Sequence, residues 1–225
     1  MPEAALCVPS VLPSDWRERL RHGLLATPDH RPGHCRYGPF RTTPPEAVLA
    51  ALRAGLSEVP RAAAVLVPIF ERAGAPQLLL TVRASHLRTH AGQISFPGGR
   101  LEGQDSDAAA AALRETQEEI GIDADYVEPL GFLSDHVVRT GYRISPLVAW
   151  LRPGFALRAD GTEVAEILEL PLARLLACAN YLARPRTLGG IECELLELPF
   201  GRHRIWGATA GILLNLRELM LAPPP

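Results

Sequence analysis

The chain has 225 residues, 47% hydrophobic and 21% charged, with a formal net charge of −2. This length can bury a sizeable core as one large domain, with or without an extension, and the charge balance excludes a bulk field that would draw nucleic acid or an anionic membrane. No apolar run reaches the roughly 18 residues that span a bilayer, and Cys7, Cys35, Cys178 and Cys193 form no CxxC or zinc pattern, so free thiols in a reducing cytoplasm are expected.

The opening, MPEAALCVPSVLPSDWRERL, carries Glu3 and Asp15 and has no basic segment ahead of an apolar core. Neither a signal peptide nor a transit peptide is expected from it. Residues 1–58 read as a helical and irregular extension packed on a main domain of residues 59–222. Within the extension, SDWRERLRHGLL predicts a helix capped by Ser14 or Asp15, TPDHRPGHCRYGPF an irregular connector, and PPEAVLAAL a second helix with Pro45 in its first turn. From Arg61 the pattern changes. AAAVLVPIF and QLLLTVR are apolar runs separated by ERAGAP, and so a hairpin. GQISFPGG predicts a short strand ending in a glycine loop. SDAAAAALRETQEEI predicts a helix with Asp105 or Ser106 as cap and Gly121 as stop. YVEPLGFLSDHVV and YRISPLVAWL are further strands. EVAEILELPL predicts a strand leading into a helix, LARLLACAN. CELLELPF and HRIWG are strands, ATAGILLNLREL is a closing helix, and the tail APPP reads as disordered. Strands separated by two longer helices predict an α/β (α+β) fold, an α/β/α sandwich with a mixed β-sheet.

The helix over ALRETQEEIGI carries an unusual charge pattern. Glu115, Glu118 and Glu119 fall within a sector of roughly 100°, where each like pair costs about 0.2–0.5 kcal/mol. They also crowd the C-terminal end, whose dipole disfavours each carboxylate by a further 0.3–1 kcal/mol or so. A solvated acidic face is the ordinary explanation of such a run. Here, however, a loop built on Pro97, Gly98 and Gly99 precedes the helix, and glycine lets backbone approach a ligand closely. A hard divalent cation takes oxygen ligands of this kind and reverses the sign of the local electrostatics.

GGRLEGQDSDAAAAALRETQEEIGI resembles the Nudix box, with Arg114, Glu115, Glu118, Glu119 and Gly121 matching its core. One extra residue lies between Gly99 and Arg114. Ser106 falls at the usual distance of the box's upstream glutamate, for which Glu102 or Asp105 is the substitute, and Thr116 stands where an aliphatic residue is usual. The upstream stretch LLTVRASHLRTHAGQISFPGG, residues 79–99, is similar to the signature of the coenzyme A pyrophosphatase branch, as is RIWGATA near the C-terminus. The resemblance covers roughly residues 60–215.

It implies a metal-dependent hydrolase cleaving coenzyme A or acyl-CoA to 3′,5′-ADP and 4′-phosphopantetheine or its acyl form. Mg²⁺ or Mn²⁺ would be held by Glu115, Glu118 and Glu119, with the Gly99 carbonyl as a further ligand and Arg114 fixing the glutamates by ion pairing. Glu163 is the candidate general base, weighed equally against an exposed strand-end charge, with a box glutamate as the other option. Arg83 and Arg88 are candidate phosphate contacts, with His90 and Gly98 beside them. Trp206 reads as an amphipathic core residue, with adenine stacking as the alternative. The partner is a small nucleotide-derived molecule, not nucleic acid or membrane, and homodimerisation is left open. Alternatives are a Nudix hydrolase of ADP-ribose, NADH or a dinucleoside polyphosphate, and a non-catalytic nucleotide-binding module on the same scaffold.

Overall fold

The computed structural model describes residues 11–223 apart from 32–33, 41–43, 45, 55–59, 88, 139 and 189. Pro45, Arg88, Cys7 and the last two residues of the tail therefore lie outside the described residues. In chain order the elements are α1 (Trp16–Gly23), α2 (Glu46–Ala54), β1 (Arg61–Arg72), β2 (Ala75–Arg83), β3 (Ile94–Ser95), β4 (Gly98–Arg100), α3 (Ala108–Ile120), β5 (Val127–Phe132) and β6 (His136–Val138). They continue with β7 (Tyr142–Leu151), β8 (Val164–Pro171), β9 (Leu182–Leu188), β10 (Ile191–Phe200), β11 (His203–Ile205) and α4 (Gly207–Leu221).

The β1–β2 hairpin turns at Ala73 and Gly74, both at positive φ, the turn geometry whose twist matches that of paired strands. A sheet of eight strands grows from it in the order β3-β2-β1-β7-β5, with β4 on β1, β6 on β7 and β8 on β2. Among the described strands of this sheet only β1 and β7 pair in parallel, so the sheet is mixed, as expected. Its two faces fill separate cores. Ala64, Leu66, Leu79 and Leu147 pack with α3, whose Ala108, Ala111 and Ala112 let the helix lie close to the sheet. Val67, Ile69, Leu78 and Leu80 pack with Ile212, Leu213 and Leu216 of α4, and with Trp16 and Leu20 of α1. The chain thus forms the expected α/β/α sandwich. Among the described residues, no helix is long and apolar enough to cross a membrane.

Three expectations change. The α3 cap is Asp107, whose side chain accepts from the Ala110 N–H at 2.8 Å, because Asp105 is already bound to Arg114. LARLLACAN is not a helix but two short 3₁₀ turns, Leu172–Leu175 and Cys178–Asn180. Leu172, Leu175 and Leu176 all bury there, which a tight turn allows and a straight continuation of the chain would not. A strand not anticipated, β9, follows and pairs with β10, which also carries β11, in a separate three-stranded sheet. Its Pro185 and mostly exposed side chains disguise an edge strand.

Candidate active site

The glycine loop and the end of α3 meet at β4. Gly98 and Gly99 pair with Val65 and Ala64 of β1. At Gly98, φ is +147° and a Cβ would overlap the Ala64 carbonyl and the Val65 backbone. At Gly99 a Cβ would overlap the Glu115 carboxylate, so this glycine is what lets the carboxylate reach the loop. The Gly98 N–H donates to Glu119 Oε2 at 3.2 Å. Gly121, at φ +75°, ends the helix just beyond, its N–H bonded to the Gln117 carbonyl.

The three glutamates are not equivalent. Glu119 is 6% exposed. Burial pushes its carboxyl up to about 8; the Gly98 N–H opposes this, Glu115 adds to it, Arg83 opposes it and Glu163 adds to it. Glu115 is also raised by burial, against the pull of Arg114. Glu118 stands out in solvent, its side chain 59% exposed. Among the described residues no three His, Cys, Asp or Glu side chains converge as a ready-made cation cage.

Arg114 is the hub. It holds Asp105 with two parallel bonds, Nε–Oδ1 at 2.9 Å and Nη2–Oδ2 at 3.0 Å. It also reaches Glu115 at 3.1 Å, Glu118 at 3.3 Å and the Arg100 carbonyl at 3.2 Å. Asp105, its carboxyl lowered by the bonds from Arg114, anchors the guanidinium from the loop. Of the two substitutes considered for the upstream box glutamate, it is Asp105 that meets Arg114; Glu102 bonds Gln104 instead.

Arg83 and Glu163 form the opposite wall. Arg83 Nη2 lies 3.6 Å from Glu163 Oε2, and Arg83 Nε is buried with no hydrogen-bond partner among the described residues. Glu163 is half-exposed and close enough to Glu115 and Glu119 to act on both electrostatically. Asp160, which sequence reasoning missed, sets its position. Its carboxylate accepts from the backbone N–H of Glu163 and Val164, and its own N–H donates to the Glu119 carbonyl at 3.0 Å. The Asp-Gly-Thr run at 160–162 was the available signal, a side-chain-capped turn.

The structure does not bring every expected residue here. His90, at φ +60°, bonds Gln93 in an exposed turn. Trp206 is 42% exposed and not a core residue. Arg88 lies outside the described residues.

The donor set suits a divalent cation. A buried carboxylate with one backbone N–H partner, beside a second carboxylate of raised pKa, carries charge that the protein itself neutralises poorly. A hard cation would offset both the burial and the mutual repulsion.

A family model described as NUDIX domain matches residues 60–175. The chain is 42% identical over 161 residues to a protein called uncharacterized Nudix hydrolase NudL in Escherichia coli strain K12, covering 72% of this chain and 82% of that one. A protein of the same name in Shigella boydii serotype 18 is 41% identical over the same length and coverage. The solved binary complex of a C. elegans Ap4A hydrolase is 22% identical, with 51% of this chain and 85% of that chain covered and a TM-score of 0.44.

Proposed function

The chain belongs to the Nudix family and is a hydrolase of nucleoside diphosphate derivatives, and from that premise we propose that it cleaves coenzyme A or acyl-CoA to 3′,5′-ADP and 4′-phosphopantetheine or its acyl form. The observation that carries this reading is the position of Arg83, Gly98 and Gly99, three described residues of the segment 79–99. This segment, similar to the coenzyme A pyrophosphatase signature, walls the carboxylate site with Arg83 and with the Gly98 and Gly99 backbone.

Water attacks one phosphorus of the diphosphate, the bridging P–O bond breaks, and two phosphate monoesters leave. Mg²⁺ or Mn²⁺, held by Glu115 and Glu119 with Glu118 and the Gly99 carbonyl as further ligands, would supply charge neutralisation and a more acidic water. Arg114 keeps Glu115 and Glu118 in place, and Asp105 keeps Arg114 in place. Arg83 offers a partly buried guanidinium with an unpaired Nε to the anionic diphosphate. Glu163 accepts the proton of the attacking water at its carboxylate, oriented by Asp160.

Product analysis tests this. The purified chain, incubated with coenzyme A and Mg²⁺ or Mn²⁺, should release 3′,5′-ADP and 4′-phosphopantetheine. Cleavage of ADP-ribose, NADH or a dinucleoside polyphosphate with coenzyme A left intact would overturn the substrate assignment.

A further inference from the structure

The chain between β7 and β8 is a strap that runs past the end of α3. Phe155, Leu157 and Ala159 turn inward along it and pack against the core on the α3 side of the sheet, with the Phe155 ring nearly perpendicular to Phe70 at 5.6 Å between centroids. The strap also brings its main chain to the helix. The N–H of Arg158 donates to the Ile120 carbonyl and the N–H of Asp160 to the Glu119 carbonyl, both at 3.0 Å. A helix cannot satisfy its last carbonyls from within, so the strap supplies donors that α3 lacks at the turn that carries its carboxylates.

Asp160 then turns the chain into β8. Its Oδ1 accepts from the N–H of Glu163 at 3.1 Å and of Val164 at 2.8 Å, and its Oδ2 accepts from the Glu163 N–H at 3.0 Å and from the Thr162 hydroxyl. One residue thus holds both halves of the site: its N–H meets the main chain of Glu119, and its carboxylate meets the main chain of Glu163. Glu163 has little hold beyond this. Its carbonyl accepts from the Ala84 N–H at 2.8 Å, and its half-exposed carboxylate has one ion pair among the described residues, to Arg83 at 3.6 Å. An aspartate that merely opened a strand would need only the carboxylate bonds. The two main-chain bonds onto α3 are additional, and they fix where the turn stands relative to the box glutamates.

We infer that residues 158–163 are a coupling clip, which hangs Glu163 from the last turn of α3 with Asp160 as the positioning residue, so that whatever steadies Glu119 also steadies Glu163. The inference rests on Glu163 being the base, but half of its test needs no turnover. In the metal-free full chain, exchange of the Glu163 and Val164 amide hydrogens, followed by NMR, reports how often the clip opens. Asp160→Ala should speed that exchange about tenfold or more. Saturating Mg²⁺ should slow it at least about threefold in wild type and leave it nearly unchanged in Asp160→Ala. Coupling is reciprocal, so Asp160→Ala should weaken Mg²⁺ binding by the factor by which Mg²⁺ slows exchange.

Turnover of coenzyme A at saturating Mg²⁺, or of ADP-ribose should coenzyme A stay intact, supplies the other half. Asp160→Ala should lower kcat about tenfold to a hundredfold with KM nearly unmoved. Asp160→Asn keeps Oδ1, which accepts from both N–H groups, and should stay within about threefold of wild type. Glu163→Gln sets the floor, and Asp160→Ala added to it should cost no more than about twofold further, because the clip acts through Glu163. A full additional loss in the double variant marks Asp160 as structural and overturns its positioning role. Exchange at Glu163 and Val164 that ignores Mg²⁺ in wild type overturns the coupling. The two readings fail separately: Glu163→Gln at the wild-type rate with Mg²⁺-dependent exchange removes the base and keeps the clip, whereas an impaired Glu163→Gln with exchange blind to Mg²⁺ keeps the base and removes the clip.

Discussion

Glu119 and Glu197 are almost equally buried, at 6% and 3% exposure, yet their surroundings are opposite. Glu119, at the end of α3, has a single backbone N–H and carboxylate neighbours, and burial pushes it up to about 8. Glu197, on β10, has three arginines. One region carries more carboxylates than Arg114 and Arg83 can offset, and the other gathers three arginines on one carboxylate. Burial alone therefore says little about what a carboxylate does. The balance of charge around it differs in sign between the two: carboxylates crowd Glu119 at α3, and arginines crowd Glu197 at β9–β11.

The comparison breaks most visibly in turnover. Glu119→Gln keeps the shape of the side chain and removes the charge a cation would meet. We expect it to cut turnover at least a thousandfold, about 4 kcal/mol of transition-state stabilisation. Near-wild-type turnover by the purified variant would remove Glu119 from the metal site.

The second expectation concerns stability against pH in chelator. Glu119 has a folded pKa of about 8 against an ordinary 4.5. Between those values the folded chain binds more protons than the unfolded one, so its contribution makes the protein less stable as pH rises, by at most about 1.4 kcal/mol per pH unit. The penalty is absent below about 4.5 and complete above about 8. His136 works the other way: burial, aided by Arg36, lowers its pKa from 6.5 to about 3, so stability falls as pH drops below about 6.5. Subtracting the Glu119→Gln curve from the wild-type curve cancels His136. The variant's advantage in urea unfolding should widen from about pH 5 to about pH 8.5. Parallel curves would mean that Glu119 is solvated in solution.

Gly99 sharpens the geometry. Gly99→Ala places a methyl against the end of the Glu115 side chain, which swings aside at little cost in stability but leaves its place beside the loop. Turnover should fall by about tenfold to a hundredfold, in keeping with the penalty for displaced catalytic groups. Gly103→Ala, in open space on the same loop, is the control and should leave turnover nearly unmoved. Equal behaviour of the two variants would show that the loop yields freely.

The region around α3 was legible in the sequence because its signals are local. The small alanines, Arg114, the three glutamates and Gly121 stand within one helix and its stop, and their spacing fixes a shared face before any tertiary contact forms. The cap was misread by one or two residues because Asp105 is taken by Arg114, a contact that propensity does not register. Asp160 was missed because its role is to bond backbone N–H groups three and four residues on, a pattern common to many turns. The arginine trio was not legible at all. Arg184 and Arg186 are brought to Glu197 by one strand pairing and Arg204 by another, and β9 itself was hidden by Pro185. Local chemistry is written in spacing, whereas a charge balance assembled across strands appears only once register is known.

The smallest effect discriminates most finely between the two regions, because it uses one substitution at both. Glu119→Gln removes a poorly compensated buried charge, so the metal-free protein should hold or gain stability at pH 8. Glu197→Gln removes the anion on which three arginines converge and leaves them repelling one another. Loss of one partner from a fully buried pair costs about 3–5 kcal/mol, but these guanidiniums are about half-exposed and screened by solvent, which brings the expected loss down to roughly 1–2 kcal/mol. Added salt should return part of that loss, since it screens the repulsion between the arginines. The same change of carboxylate to amide thus acts with opposite sign at two glutamates of similar burial, read as the shift in urea midpoint at pH 8. Shifts of the same sign would mean that burial, and not the surrounding charge, sets the energetics of both.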